Sequence, residues 1–393
     1  MRNALIYSSS FVGHRQVYVF VIANILHRLG YKLFIAGNFS EILKSTFYLR
    51  KLESEIKIST IDTACFNANG LGITNNEFFQ IQQKYSIELT IFTEADNHIP
   101  LFVSQLKHHK KRFLGKTVGV FLRPFYFYHN LSFINKLRYI KHIDSVWESD
   151  MRLFHEVLNP CLKLIDVSLC IDDYFSLMHK HSIWLPDVFQ QYADALVIEE
   201  HSEQRLWQNR LDKFKSENEG RNLLLYFGTE QQRRGYDQLL KLAVDCNACF
   251  IHCGLRHSGN NYEIDVNDLR YQLKKENRLF ETNEYITDPI CIEYFFKSVS
   301  HLVLPYDNFY GSSGVMLQAL GYKIPVLVPD VGIIGYRVKK YNLGFTYSPG
   351  SLNSSYSTFI NTSSEIFTDS IVNYMKLHSN EMLQSVLEKA FKS

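Results

Sequence analysis

Strand-like and helix-like segments alternate along this chain twice over, and that repetition limits the available folds more than any other feature. "NALIYSSS" is a short apolar run ending in small residues. "HRQVYVFVIANILHRLG" follows, with Val17, Phe20, Val21, Leu26 and Leu29 at helical spacing and Gly30 as a stop. "YKLFIAG" is strand-like again, so the order is a βαβ unit. "IELTIFTEA", "GKTVGVFL" and "IDVSLCI" add strands to the same sheet. The pattern breaks at Pro186, and the polar stretch after it reads as an interdomain linker over 186–220. It resumes with "LLLYFG", helix "YDQLLKLAVD", strand "ACFIHCG", helix "DPICIEYFFKSV", strand "HLVLPY", helix "SGVMLQALGY" and strand "IPVLV". Two alternating halves imply an α/β protein of two Rossmann-like domains, 1–190 and 191–375. Residues 376–393 form a C-terminal helix that could cross back to the first domain. The 393 residues, 46% of them hydrophobic, supply core for two domains of ordinary size.

The formal net charge of +2 gives no support to a nucleic-acid partner. No run is long and apolar enough to span a bilayer, and "MRNALIYSSSFVGHRQ" turns polar too early for a signal peptide. The seven cysteines are scattered through apolar runs, as reduced core thiols of a cytoplasmic protein would be. Cys246, Cys249 and Cys253 lie near His252, but a second ligand pair is missing. A core strand is the better reading there, and no metal is expected.

In open α/β sheets ligands bind beyond the carboxyl ends of the strands. "YDNFYGSSGVMLQALGYKIPVLVPDVGIIG", residues 306–335, lies at such an edge. A strand ends at Pro305 and Tyr306, Gly311 follows, and a helix begins near Ser312 or Ser313. A helix start offers free N–H groups and partial positive charge, and small residues let a phosphate or sugar oxygen approach. An ordinary N-cap would use the same residues without any ligand.

The order of these segments resembles the GT-B glycosyltransferases, particularly the large retaining family four. "LLLYFGTEQQRRGYDQLLKLA" is similar to the first strand and loop of that family's C-terminal domain, and "VLPYDNFYGSSGVMLQALGYKIPVLVPDVGIIG" to its donor-binding segment. The likeness is clearest over 223–345 and loose between 40 and 190. It implies two Rossmann-like domains facing each other across a cleft. The implied activity is hexosyl transfer from a nucleotide-diphosphate sugar to a glycan or lipid-linked glycan, with retention, as in polysaccharide biosynthesis. No cofactor and no metal are implied. Two glutamates usually stand eight positions apart around this helix start; the register puts Tyr310 and Gln318 in their places, a degenerate E-x7-E motif. The arginine usual after the strand-end glycine is Thr229 here, while the basic residue before the next glycine is present as Arg234.

The resemblance gives Arg234 the diphosphate, with Arg233 beside it, because guanidinium matches phosphate oxygens. Ser312, Ser313, Gly314 and Val315 would complete the cradle, Gln318 would hold the ribose, and Tyr310 would lie by the donor sugar. Gly13 and His14 would face the donor from the N-terminal domain, and Arg15 the acceptor. After the first-half strands, "FTEADNHIP" offers Glu94, Asp96, Asn97 and His98, and "VFLRPFYFYHN" offers Arg123 and His129. Glu94, Asn97 and Arg123 are acceptor-side candidates; Asp96 and His129 join Arg234 as catalytic candidates. Residues 101–143 hold nine Lys or Arg, nine aromatics and no Asp or Glu. Such a face suits an anionic membrane surface and a peripheral position on the inner face; buried aromatics under a charged surface would give the same composition. Two further functions compete: a nucleotide-sugar epimerase of the same fold, and a degenerate GT-B domain that binds a sugar nucleotide or glycan as a partner subunit.

Overall fold

The computed structural model describes residues 2–8, 11, 14–37, 39, 52–63, 75–98, 101–102, 113–122, 164–173, 176, 182–187, 202–257, 262, 265–284, 286, 289–307, 311–348 and 350–392. The chain divides into two units: residues 1–188 with 378–393, and residues 189–377.

The first unit is built on β1 (Arg2–Tyr7), β2 (Tyr31–Gly37), β3 (Ile58–Asp62), β4 (Leu89–Phe92), β5 (Lys116–Phe121), β6 (Val167–Cys170) and β7 (Ser182–Trp184). They form one sheet in the order β3-β2-β1-β4-β5-β6-β7, every pair parallel. Parallel strands are covered on both faces, which is why the central ones are near-continuous apolar runs. Ala4, Leu5 and Ile6 of β1 are fully buried. The helix His14–Arg28 presents Tyr18, Val19, Ile22, Ala23 and Leu26 to this core. Phe34, Phe78, Phe92, Phe102, Phe113 and Phe121 cluster in the core. Three of these, Phe102, Phe113 and Phe121, come from the basic, aromatic stretch 101–143, so at these positions its rings are core. The rest of that stretch, over 103–112 and beyond 122, lies outside the described residues. The last helix, Asn380–Lys392, belongs to this unit: Leu383, Leu387, Ala390 and Phe391 are buried, and Lys116 Nζ donates to the Ala390 carbonyl at 2.7 Å.

The second unit contains β8 (Leu223–Phe227), β9 (Cys249–Cys253), β10 (Leu279–Glu281), β11 (Leu302–Val303), β12 (Val326–Pro329) and β13 (Gly344–Tyr347). Two parallel three-stranded sheets result, β10-β9-β8 and β11-β12-β13, with β11 alongside β8. In both units the order reverses after the first strand, between β1 and β4 and between β8 and β11. Those are the switch points where doubly wound sheets leave a crevice. Cys249 and Cys253 are buried within β9, as the core reading expects.

The polar stretch expected as a linker instead contains a sixteen-residue helix, Ser202–Glu217. Trp207, Leu211 and Phe214 recur at helical spacing and are buried, with Trp207 and Phe214 packed on Phe280 of β10. Its many charges mark the solvated face of an amphipathic helix. Among the described residues no helix is long and apolar enough to cross a membrane.

Candidate functional site

The second unit's switch point is shaped by two loops that touch. After β8 the chain passes through Gly228, whose φ of 113° belongs to the region that favours glycine. A Cβ there would come within 2.5 Å of Arg234 Nη1. The guanidinium therefore lies against the strand-end backbone, in room that only glycine leaves. Among the described residues no carboxylate pairs with Arg234. The loop between is folded by Tyr226, whose hydroxyl donates to the Thr229 carbonyl at 3.1 Å and accepts from the Gln231 N–H at 3.1 Å. Burial pushes the Tyr226 phenol well up and the nearby Arg234 charge pulls it partly back, so it stays a donor.

Gly235 closes the loop and opens the helix Tyr236–Asp245. Its φ is 65°, and a Cβ would strike the Pro305 carbonyl oxygen at 1.9 Å. Pro305 belongs to the loop after β11. The same two loops are joined by the Asp307 N–H, which donates to the Arg233 carbonyl at 3.0 Å. Arg233 itself is exposed.

The second loop ends at a helix start. Ser313 is the N-cap of helix Gly314–Gly321, its hydroxyl accepting from the Met316 N–H at 3.1 Å. Tyr306 Oη lies 3.1 Å from the same hydroxyl, so the cap is buried and held from both sides. This use of the Ser313 side chain is the ordinary capping one. The N–H groups of Gly314 and Val315 have no acceptor among the described residues, as expected of a first turn. Ser312 Oγ accepts from Arg337 Nη1 at 2.8 Å. Arg337 is 3% exposed and brings a buried cation behind the loop. Gln318 donates its Nε2 to Tyr322 Oη at 3.2 Å and leaves its carbonyl oxygen to other partners. Tyr310 lies outside the described residues.

A buried ionic cluster underlies the first loop. Glu230 accepts from Tyr262 Oη at 2.9 Å and from Arg270 Nη1 at 3.3 Å. Arg270 also donates to Tyr236 Oη at 2.9 Å and to Glu281. Burial alone would push the Glu281 carboxyl up; the His252 imidazole and the Arg270 and Arg256 guanidiniums together hold it below the usual carboxylate range. His252 is fully buried, with Nε2 3.3 Å from the Gly228 carbonyl and Nδ1 4.0 Å from Glu281 Oε1.

In the first unit the switch point is lined differently. Tyr7, at the end of β1, packs on Phe92 at the end of β4 (centroids 5.8 Å apart) and on His98 (4.6 Å). Glu94 is 3% exposed. Asp96 and Asn97 lie on a short 3-10 helix, Ala95–His98. His14 and Arg15 begin the helix after β1; their side chains, and Gly13, Arg123 and His129, lie outside the described residues.

Similar folds exist among solved structures. HepE from Anabaena, in complex with UDP-glucose, is 12% identical, with a TM-score of 0.68 and full coverage of both chains. WaaG, a glycosyltransferase involved in lipopolysaccharide biosynthesis, is 14% identical, with a TM-score of 0.59, 99% of this chain and 98% of that one covered. The fold is GT-B. A proposed UDP-N-acetylglucosamine 2-epimerase from Listeria monocytogenes shares it at 10% identity and a TM-score of 0.57, covering 100% of this chain and 96% of that one. No protein-family profile matches the chain, and no curated protein matches it in sequence. Contacts between the two loops put Arg233 and Arg234 on the same edge of the second unit as Ser312, Ser313, Gly314 and Val315, whereas the bond of Gln318 is to Tyr322, one turn further along. Glu230, Arg270 and Arg337 are additions that sequence reading missed. Glu230 and Arg270 are forty residues apart, and Arg337 reads in sequence as one basic residue of "YRVKKY".

Proposed function

We propose that this protein is a glycosyltransferase that takes a sugar from a nucleotide-diphosphate donor. The single observation that supports this most is Arg234 lying against Gly228, on the edge that also offers the unpaired N–H groups of Gly314 and Val315. A cation and two N–H groups suit a diphosphate leaving group, whose charge grows as the glycosidic bond to the donor breaks. Arg233 adds positive charge. Gln318 takes the ribose hydroxyls through its amide oxygen, where the resembling family has a carboxylate. By the resemblance, Tyr310, Gly13 and His14 are further donor-side candidates. These groups supply the charge stabilisation without an essential metal.

The acceptor is a glycan or a lipid-linked glycan, served by Arg15, Glu94, Asn97 and Arg123, with Asp96 and His129 as catalytic candidates. Transfer proceeds with retention, the departing phosphate oxygen receiving the acceptor proton. Cations of the basic stretch 101–143, Lys116 of β5 aside, meet an anionic membrane surface on the cytoplasmic side. Sedimentation with anionic vesicles that falls with salt supports that placement, and a loss of it on replacing Lys107, Lys110, Lys111 and Arg112 with Ser confines it to this stretch. The neighbour named as an epimerase favours a second reading, in which a UDP-sugar is isomerised or hydrolysed without an acceptor. A panel of nucleotide sugars read by mass spectrometry, with and without glycan acceptors, separates the two. Acceptor-dependent product supports transfer. Acceptor-independent conversion supports the epimerase, and UDP binding without turnover leaves a binding subunit.

A further inference from the structure

Between Gly228 and Gly235 runs the short loop Thr229 to Arg234, which carries both candidate diphosphate cations. The buried cluster beneath it holds this loop at its start, its middle and its end. At the start, His252 Nε2 lies 3.3 Å from the Gly228 carbonyl. In the middle, Glu230 is 5% exposed and bound by Tyr262 and Arg270. At the end, Tyr236, the residue after Gly235, accepts from Arg270 at 2.9 Å. Arg270 is 9% exposed and thus joins the middle of the loop to its end, while Glu281 ties Arg270 to β10. Lysine could not serve three acceptors in this way, because its donors radiate from one nitrogen while a guanidinium spreads five over a plane. A buried arginine with two carboxylates is weak evidence for stability in itself, since taking the charges out of water costs about as much as their attraction returns. Its value here is geometric.

We infer that Glu230 and Arg270 are positioning residues, which fix the 228–235 loop so that Arg234 is held ready for a diphosphate. The identity of the ligand rests on the nucleotide-sugar reading, but the ordering of the loop does not.

The test uses the full chain with Glu230→Gln, Arg270→Lys and Arg270→Met, and the probes UDP and uridine. Calorimetry should show UDP binding weakened roughly ten-fold in Glu230→Gln and Arg270→Lys. Uridine, which lacks phosphate, should bind each variant as it binds the wild type. Hydrogen exchange should rise at the amides of 228–235 and stay unchanged in β12 and β13. Equal loss of UDP and uridine would reduce the cluster to a structural role and overturn the inference. Unchanged UDP affinity, or unchanged exchange in the loop, would overturn it as well. If Arg270→Met fails to fold, the two milder variants carry the test. A wild-type protein that ignores UDP would instead overturn the nucleotide-sugar reading, and the exchange measurement would still decide whether the cluster orders the loop.

Discussion

Where β1 and β4 part, the first unit lines its strand ends with rings: Tyr7, Phe92 and His98 pack on one another and are almost wholly buried. Where β8 and β11 part, the second unit lines them with Arg234, a pair of conformationally special glycines and a capped helix start. The strand orders around the two points correspond. Topology thus places a crevice in both units, and side-chain chemistry decides what each can hold. A ring-packed edge offers an anion no charge, and an edge with a cation and unpaired N–H groups has the chemistry that the proposed diphosphate needs.

Substitutions at four positions sharpen or break this contrast. Gly235→Ala should have the largest effect, about 3 kcal/mol of stability, because it combines a left-handed backbone with a clash on Pro305. Thermal unfolding measures it, and a wild-type melting temperature would show that the two loops are not in contact. Arg234→Ala should weaken UDP binding by about 1.5–3 kcal/mol in a protein that remains folded. Unchanged affinity would remove Arg234 from the site. Gln318→Leu should cost about 1 kcal/mol of UDP affinity by leaving ribose hydroxyls unpaired, while Gln318→Glu is tolerated. A fully active Leu variant would show that the register from Tyr310 to Gln318 is wrong. His98→Gln, on the ring-packed edge, should change UDP affinity by less than about twofold. A loss as large as that of Arg234→Ala would end the division of labour between the two edges.

The fold is legible in the sequence where strands are central and fades at their margins. β1, β2, β4, β5, β8, β9 and β12 are apolar runs because both faces are covered, and each is readable from sequence. The strands that escape such a reading are β3, β7, β10 and β13, each at the edge of its sheet. "ISTID", "SIW", "LFE" and "GFTY" are short and partly exposed, so they carry little apolar signal. The helix Ser202–Glu217 is hidden by its charges, although Trp207, Leu211 and Phe214 mark its buried face. The site is legible as far as its loops are local. Gly228, Arg234, Ser313 and Gly314 sit near strand ends that sequence can locate. Glu230 with Arg270, and Ser312 with Arg337, are long-range pairs that no local pattern announces.

The helix Asn380–Lys392 completes the first unit although the whole second unit precedes it in the chain. Protein synthesis proceeds from the N-terminus, and domains ordinarily close in that order as they emerge. Here the order is inverted for one of them. All of residues 189–377 are made before the last helix, whereas residues 1–188 wait for Leu383, Leu387 and Phe391, buried side chains of their own unit. The earlier half of the chain is therefore the later to finish folding, and during that interval its uncovered surface is what a chaperone would meet.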